Sequence, residues 1–122
     1  MSSYKDLDIY KKALELYYRT HELSLKLPQY EMYEQGSQIR RSADGFVSQI
    51  VEGYCRKRYK ADFIKYLTYS FGSNHETTNH CIKIKTTHPK LFEQFNQLEI
   101  EYEQLGKQIY KFIEYVESNW RN

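Results

Sequence analysis

Near the end of the chain, Leu91, Phe95, Leu98, Tyr102, Leu105, Ile109, Phe112 and Val116 recur at alternating steps of four and three residues. That spacing lines side chains along one face of an α-helix; a strand, whose faces alternate every second residue, cannot use it. A sustained seven-residue repeat also favours left-handed packing at ~+20° against neighbouring helices. This segment therefore requires helical partners, and the sequence supplies three.

The first partner, residues 6–26, carries Ile9, Ala13, Leu16, Thr20, Leu23 and Leu27 on one stripe. Pro28 follows and cannot continue a helix interior, so the helix should stop near Lys26. The second, residues 30–56, turns Ile39, Ala43, Phe46, Ile50 and Tyr54 inward, and the run Tyr54-Cys55-Arg56-Lys57-Arg58-Tyr59 then breaks its pattern. The third, residues 60–85, places Phe63, Leu67, Phe71, Cys81 and Ile84 on a stripe, although Ser70 to His80 is unusually polar for a core helix. The heptad segment spans residues 89–118; Thr87 or His88 can cap it, and Pro89 suits a first turn. Helices of ~25 residues are ~37 Å long at ~1.5 Å per residue. Short connections make neighbours antiparallel, so the expected fold is all-α, an up-down-up-down four-helix bundle forming one domain over residues 1–122.

Several function classes fall away on composition. No stretch approaches the ~20 apolar residues of a spanning helix. The start, Met1-Ser2-Ser3-Tyr4-Lys5-Asp6, lacks the apolar core of a signal peptide, so a cytoplasmic protein is expected. Cys55 and Cys81 are too few and too separated for a disulfide framework. The string His75-Glu76-Thr77-Thr78-Asn79-His80 imitates the zinc-protease pattern, but its second histidine is one residue late. A step of five rotates ~140° around a helix, which turns the two imidazoles to different faces. Bundle di-iron sites use Glu-x-x-His pairs; the positions three before the four histidines hold Tyr18, Gly72, Thr77 and Lys85. Cys55 lies in a basic setting with no histidine nearby in sequence and reads as a structural or incidental thiol. Serine-nucleophile motifs and glycine-rich phosphate loops are missing, so the expectation is a protein without catalytic activity, metal or cofactor.

Charge is unevenly placed. The chain carries a net +2, yet Gly36 to Lys65 holds seven basic and three acidic residues, a local +4 against −2 for the remainder. Arg56, Lys57, Arg58 and Lys60, with Arg41, can neutralise phosphates, and Tyr54 and Tyr59 can stack on unpaired bases. The same residues also fit a solvated turn whose cations favour a helix C-terminus. If the hairpin turns near Arg58, Arg40 faces Glu76 and Gly45 approaches Gly72, which predicts an ion pair beside a close glycine contact. Thirteen of the chain's aromatics are tyrosine. Tyr17, Tyr18, Tyr66, Tyr69, Tyr110 and Tyr115 lie off or beside the main stripes, which implies a second buried face and a homo-oligomer. A protein-interaction scaffold is the competing reading, resting on the same tyrosines.

Together, Pro28, Glu31, Tyr33, Gln38-Ile39-Arg40-Arg41-Ser42-Ala43, Ile50-Val51-Glu52-Gly53, Arg56, Phe63-Ile64-Lys65-Tyr66-Leu67, Gly72-Ser73 and Glu76 resemble the four-helix-bundle family of 23S ribosomal RNA intervening-sequence proteins. Tyr4, Leu7, Ile9-Tyr10 and Ala13 resemble that family's first helix. Where the family tends to carry serine-isoleucine and asparagine-isoleucine-alanine, this chain has Gly45-Phe46 and Gln49-Ile50-Val51. The family is similar in fold to the accessory protein of diversity-generating retroelements, a homopentameric ring that binds nucleic acid and a reverse transcriptase. The resemblance thus implies a bacterial cytoplasmic protein, a ring-like homo-oligomer with five subunits, and RNA, DNA or a reverse transcriptase as partners.

Overall fold

The computed structural model describes residues 3–121 and contains four long helices: α1 (Asp8–Ser24), α2 (Gln35–Cys55), α3 (Lys60–Thr87) and α4 (Phe92–Asn119). Three short 3-10 turns (Tyr4–Asp6, Gln29–Glu31 and Pro89–Leu91) join or precede them. Each helix packs on its neighbour in sequence, and α1 closes on α4, giving the expected antiparallel four-helix bundle.

The helix ends differ from expectation for local reasons. Leu7 is extended (φ −71, ψ 127), so α1 begins at Asp8. The segment before α2 is taken up by the 3-10 turn and by an anchored loop. There Arg40 donates to the Met32 carbonyl and to Ser24 Oγ, both at 2.8 Å, and His88 Nε2 donates to the buried Glu31 carboxylate at 2.6 Å. That last bond ties the α1–α2 loop to the α3–α4 loop. His88 therefore holds another loop instead of capping the last helix, and Pro89 opens a 3-10 turn three residues before α4. Thr86 and Thr87 donate to the carbonyls four residues back, and α3 runs on to Thr87.

Every inward residue foreseen for α2 is buried. On α4 the stripe holds from Phe95 to Ile109 and then passes from Phe112, which is half-buried, to Ile113. A straight helix drifts ~20° per heptad from a 3.5-residue repeat, and three heptads accumulate enough to exchange adjacent positions. On α3 the buried row is Phe63, Leu67, Ser70, Asn74, Thr77, Cys81 and Ile84. Its polar middle is thus the core itself, and Phe71, expected inward, is turned towards α4. The polar groups of this row are satisfied as burial requires. Asn74 Nδ2 donates to the Tyr102 carbonyl (2.9 Å); Thr77 donates to Ser42 Oγ (2.8 Å), and Ser42 to the Ile39 carbonyl (3.2 Å).

Tyr102 is the hub of the interior. Its ring lies 6.1 Å from that of Phe46 on α2, its carbonyl receives Asn74 from α3, and its hydroxyl is 2.8 Å from Thr20 Oγ1 on α1. Thr20 already donates to the Leu16 carbonyl (2.7 Å), so Tyr102 donates to Thr20. Burial pushes the phenol well above its ordinary range and lifts the buried Cys81 thiol to about 12.

The expected Arg40–Glu76 pair does not form. Ser42 sits opposite Thr77, and Gly45 lies against Ser73, so the register runs about three residues beyond the one assumed. Arg40 occupies the α1-facing side of α2 and is held by Ser24 and Met32; Glu76 is exposed on α3. A side chain built at Gly72 would meet nothing within 4 Å, so the glycine contact is absent as well.

On the outer surface Glu101 joins α4 to α1. It accepts from Arg19 at 2.9 and 2.7 Å and from Lys12 at 2.9 Å. These cations, Arg19 foremost, hold its carboxyl down to about 2. A carboxylate whose folded pKa lies below its unfolded value of 4.5 stabilises the fold above pH 4.5 and loses that contribution as pH falls towards 2. Glu101→Gln should therefore cost about 1–2 kcal/mol near neutrality, allowing for partners half in solvent. Denaturant titrations should show this difference vanish near pH 2. Acid acts earlier through His80, which is buried with neither ring nitrogen bonded to protein, and whose pKa burial lowers from 6.5. The fold holds it neutral, so its contribution is complete above pH 6.5 and lost as pH falls below it.

Candidate nucleic-acid interface

α2 ends where Arg56 and Lys57 return their amides to the Gly53 and Tyr54 carbonyls (3.0 and 3.1 Å). Tyr59 N then bonds the Arg56 carbonyl, and α3 begins at Lys60. Gly53 lets the helices approach closely just before this turn: a Cβ there would lie 3.2 Å from Tyr66 Cβ and 3.4 Å from the Phe63 carbonyl. From the far side Trp120 Nε1 donates to the Lys57 carbonyl (2.9 Å), and its ring packs edge-on against Phe63 at 5.1 Å. The turn is therefore held by α2, α3 and the end of α4.

The sequence-derived site residues divide sharply in this setting. Arg56 is committed: its Nε donates to Glu52 (2.7 Å), Asp62 lies 3.7 Å away, and its guanidinium covers the Tyr66 ring at 5.0 Å. The Glu52 bond raises its pKa, so its charge is locked in place and largely matched. Tyr54 cannot stack on a base, because it is only 6% exposed and packs edge-on against Phe63 at 6.2 Å. Its hydroxyl instead accepts from Lys57 Nζ at 2.7 Å. Lys60 donates to the Glu117 carbonyl (2.7 Å), near the negative end of α4. Arg41 is exposed but fifteen residues before Arg56, about 22 Å along α2, so it does not share the turn.

What faces outward is Arg58, with its guanidinium 5.8 Å from the ring of Tyr59, which is 56% exposed. Lys57 and Lys60 flank it; among the described residues none of these three cations has a carboxylate within salt-bridge distance. No side chain caps the first turn of α3, so its free amides and the positive end of its dipole open on the same surface. The patch extends along α3 through Lys65, whose ammonium lies 5.8 and 6.0 Å from the rings of Tyr66 and Tyr69. Lys65 and Tyr69 are not among the sequence-derived site residues, although Lys65 belongs to the basic stretch and the two, four apart, share one helix face. Trp120 had no such signal.

His75 and His80 do face differently: His75 is exposed and packs at a tilt against Phe71 with ring centres 4.3 Å apart, and His80 is buried. Among the described residues no group of three His, Cys, Asp or Glu side chains could hold a metal ion, and no helix is long and apolar enough to cross a membrane.

The fold and its basic turn define a small antiparallel four-helix-bundle protein with a cationic, aromatic-bearing end. The chain belongs to the family of 23S rRNA-intervening sequence proteins, whose model matches residues 5–111. A solved structure, described as a protein with unknown function from the S23 ribosomal protein family of Bacteroides thetaiotaomicron VPI-5482, is similar in fold. It has 22% identity and a TM-score of 0.78, over 87% of this chain and 95% of that one. No curated protein matches the chain.

Proposed function

We propose that this protein is a non-catalytic, cytoplasmic, homo-oligomeric binder of RNA or DNA that contacts phosphates through the α2–α3 turn. The observation that carries the reading is the clustering of Arg58, Lys57 and Lys60, free of carboxylate partners, with exposed Tyr59 at the uncapped start of α3. Cations neutralise phosphates, amides of a helix N-terminus receive them, and an exposed aromatic stacks on an unpaired base. Tyr59, with Tyr69 beyond it, serves the stacking role first assigned to Tyr54.

The test is binding of single- and double-stranded RNA and DNA across a salt series. Affinity should fall linearly with salt on logarithmic axes. Reversing Lys57, Arg58 and Lys60 together to glutamate should weaken binding by about tenfold or more and flatten the slope by roughly 2–3. Binding indifferent to both salt and charge reversal rejects the reading.

The exposed tyrosines favour a second reading, a scaffold or accessory subunit that recognises a protein, such as a reverse transcriptase, without touching nucleic acid. Tyr18, Tyr69, Tyr110 and Tyr115 are about half-exposed on three helices, a residue type enriched at interfaces. A stoichiometric complex with a purified reverse transcriptase that survives nuclease and high salt would favour it.

A further inference from the structure

Cations alternate with exposed aromatic rings from the α2–α3 turn onto the outer flank of α3. Arg58 and Tyr59 form the first pair, and Lys65 and Tyr69 the second. The cation stands 5.8 Å from its ring in the turn and 6.0 Å from it on the helix. Both rings reach solvent, Tyr59 at 56% exposure and Tyr69 at 48%. The step from residue 59 to residue 69 covers about 15 Å along the helix axis.

The second pair rests on a support. Tyr66 meets Tyr69 edge-on with ring centres 5.5 Å apart, and the Arg56 guanidinium covers Tyr66 at 5.0 Å. Arg56 is itself fixed by Glu52 at 2.7 Å and faces Asp62 at 3.7 Å. One side chain thus braces the two rings and matches the carboxylates on either side of the turn in sequence, which would otherwise repel phosphate. Lys65 is exposed, and among the described residues no carboxylate lies within salt-bridge distance of it, so its charge is free beside Tyr69. The end of α4 offers a poorer path. Glu114 and Glu117 are exposed there, and the Glu117 carbonyl holds Lys60 at 2.7 Å.

A nucleotide carries its phosphate one sugar away from its base, so a ring with a cation at its side meets base and phosphate together. Every base has a π-face, and stacking on an aromatic side chain tolerates any sequence. In a duplex both faces of a base are covered by its neighbours, and its phosphates alone are left for such a surface. We infer that the flank of α3 from Tyr59 to Tyr69 is a track for unpaired nucleotides, selecting single-stranded over double-stranded nucleic acid, and this selection rests on the phosphate-binding reading of the turn. Tyr59 and Tyr69 are its two stacking stations, with Arg58 and Lys65 on the adjoining phosphates. At ~3.4 Å or more per nucleotide the track holds at most about four. The tyrosines decide strandedness; Lys57, Arg58 and Lys60 supply the salt-dependent attraction that single strands and duplexes share.

Fluorescence anisotropy with labelled oligouridine and oligothymidine of about twelve nucleotides, beside RNA and DNA duplexes of equal length, tests the track. Single strands should bind about tenfold or more tightly than duplexes. Tyr59→Ala and Tyr69→Ala should each weaken single-strand binding about tenfold while leaving duplex binding and the salt slope as in the wild type. Tyr59→Phe and Tyr69→Phe keep the rings and should bind as the wild type does, with circular dichroism confirming helical folds throughout. Selection of either single strand supports the inference, and the tighter of the two names the sugar. Duplexes that bind as tightly as single strands overturn it, as do folded alanine variants that keep wild-type affinity for single strands. In that event salt-sensitive binding lost on reversing Lys57, Arg58 and Lys60 would still uphold the phosphate-binding reading. Failure of all four probes to bind rejects both.

Discussion

Tyr102→Ala should lower the unfolding free energy by about 4 kcal/mol, and Tyr102→Phe by only about 1 kcal/mol. The larger change removes a fully buried ring in contact with Phe46 and leaves a cavity where all four helices meet. The smaller one removes a hydroxyl whose acceptor, Thr20 Oγ1, keeps its own bond to the Leu16 carbonyl, so no group is stranded. Urea denaturation measures both. A Phe variant as damaged as the Ala variant would show that the hydroxyl, and not the ring, organises the interior. Basic residues of the α2–α3 turn should be unaffected in charge by either change, so nucleic-acid binding by the folded fraction should persist.

Gly106→Leu should cost about 3 kcal/mol and Gly106→Ala about 1–2 kcal/mol, even though alanine is the better helix former by ~1 kcal/mol. A Cβ at this position would stand 2.5 Å from Asn74 Oδ1, a separation real side chains do not adopt. Asn74 is wholly buried, and its amide is spent on the Tyr102 carbonyl, so it cannot yield without stranding a polar group. The double variant Gly106→Ala with Asn74→Ala removes the clash. It should therefore be more stable than the summed single effects predict by about 1 kcal/mol or more. Simple additivity would mean that Asn74 moves freely and that the close α3–α4 approach has another origin.

Much of this was legible in the residues. Four periodic segments, two prolines and a basic run between the second and third segments were enough for the bundle and for the location of the turn. Tyr54 shows where two readings of one residue collided. Its periodicity placed it inward with Ile50, while its neighbours in sequence marked it as a stacking aromatic beside Arg56. Burial followed periodicity, because a helix presents a side chain by its angle and not by its neighbours. The polar row Ser70, Asn74 and Thr77 keeps the same period as Phe63 and Leu67, but apolar residues alone point to Phe71 in its place.

The pairing of charges was not legible. Arg56 and Arg58 are two residues apart and chemically alike, yet one is bound by Glu52 and the other is free: Arg56 is the C-cap of α2, four residues after Glu52, whereas Arg58 lies in the turn beyond the helix end. Counting outward from the turn gives Arg40 a carboxylate. A register error of three residues, together with its place on the α1 side of α2, put Ser24 and Met32 there instead. The sequence by itself determined the number of helices, their inward faces and the concentration of positive charge at one turn, since these depend on local spacing. Only the tertiary structure decided which cations remain unpaired and which tyrosines reach solvent, since each depends on what another helix brings within a few ångströms.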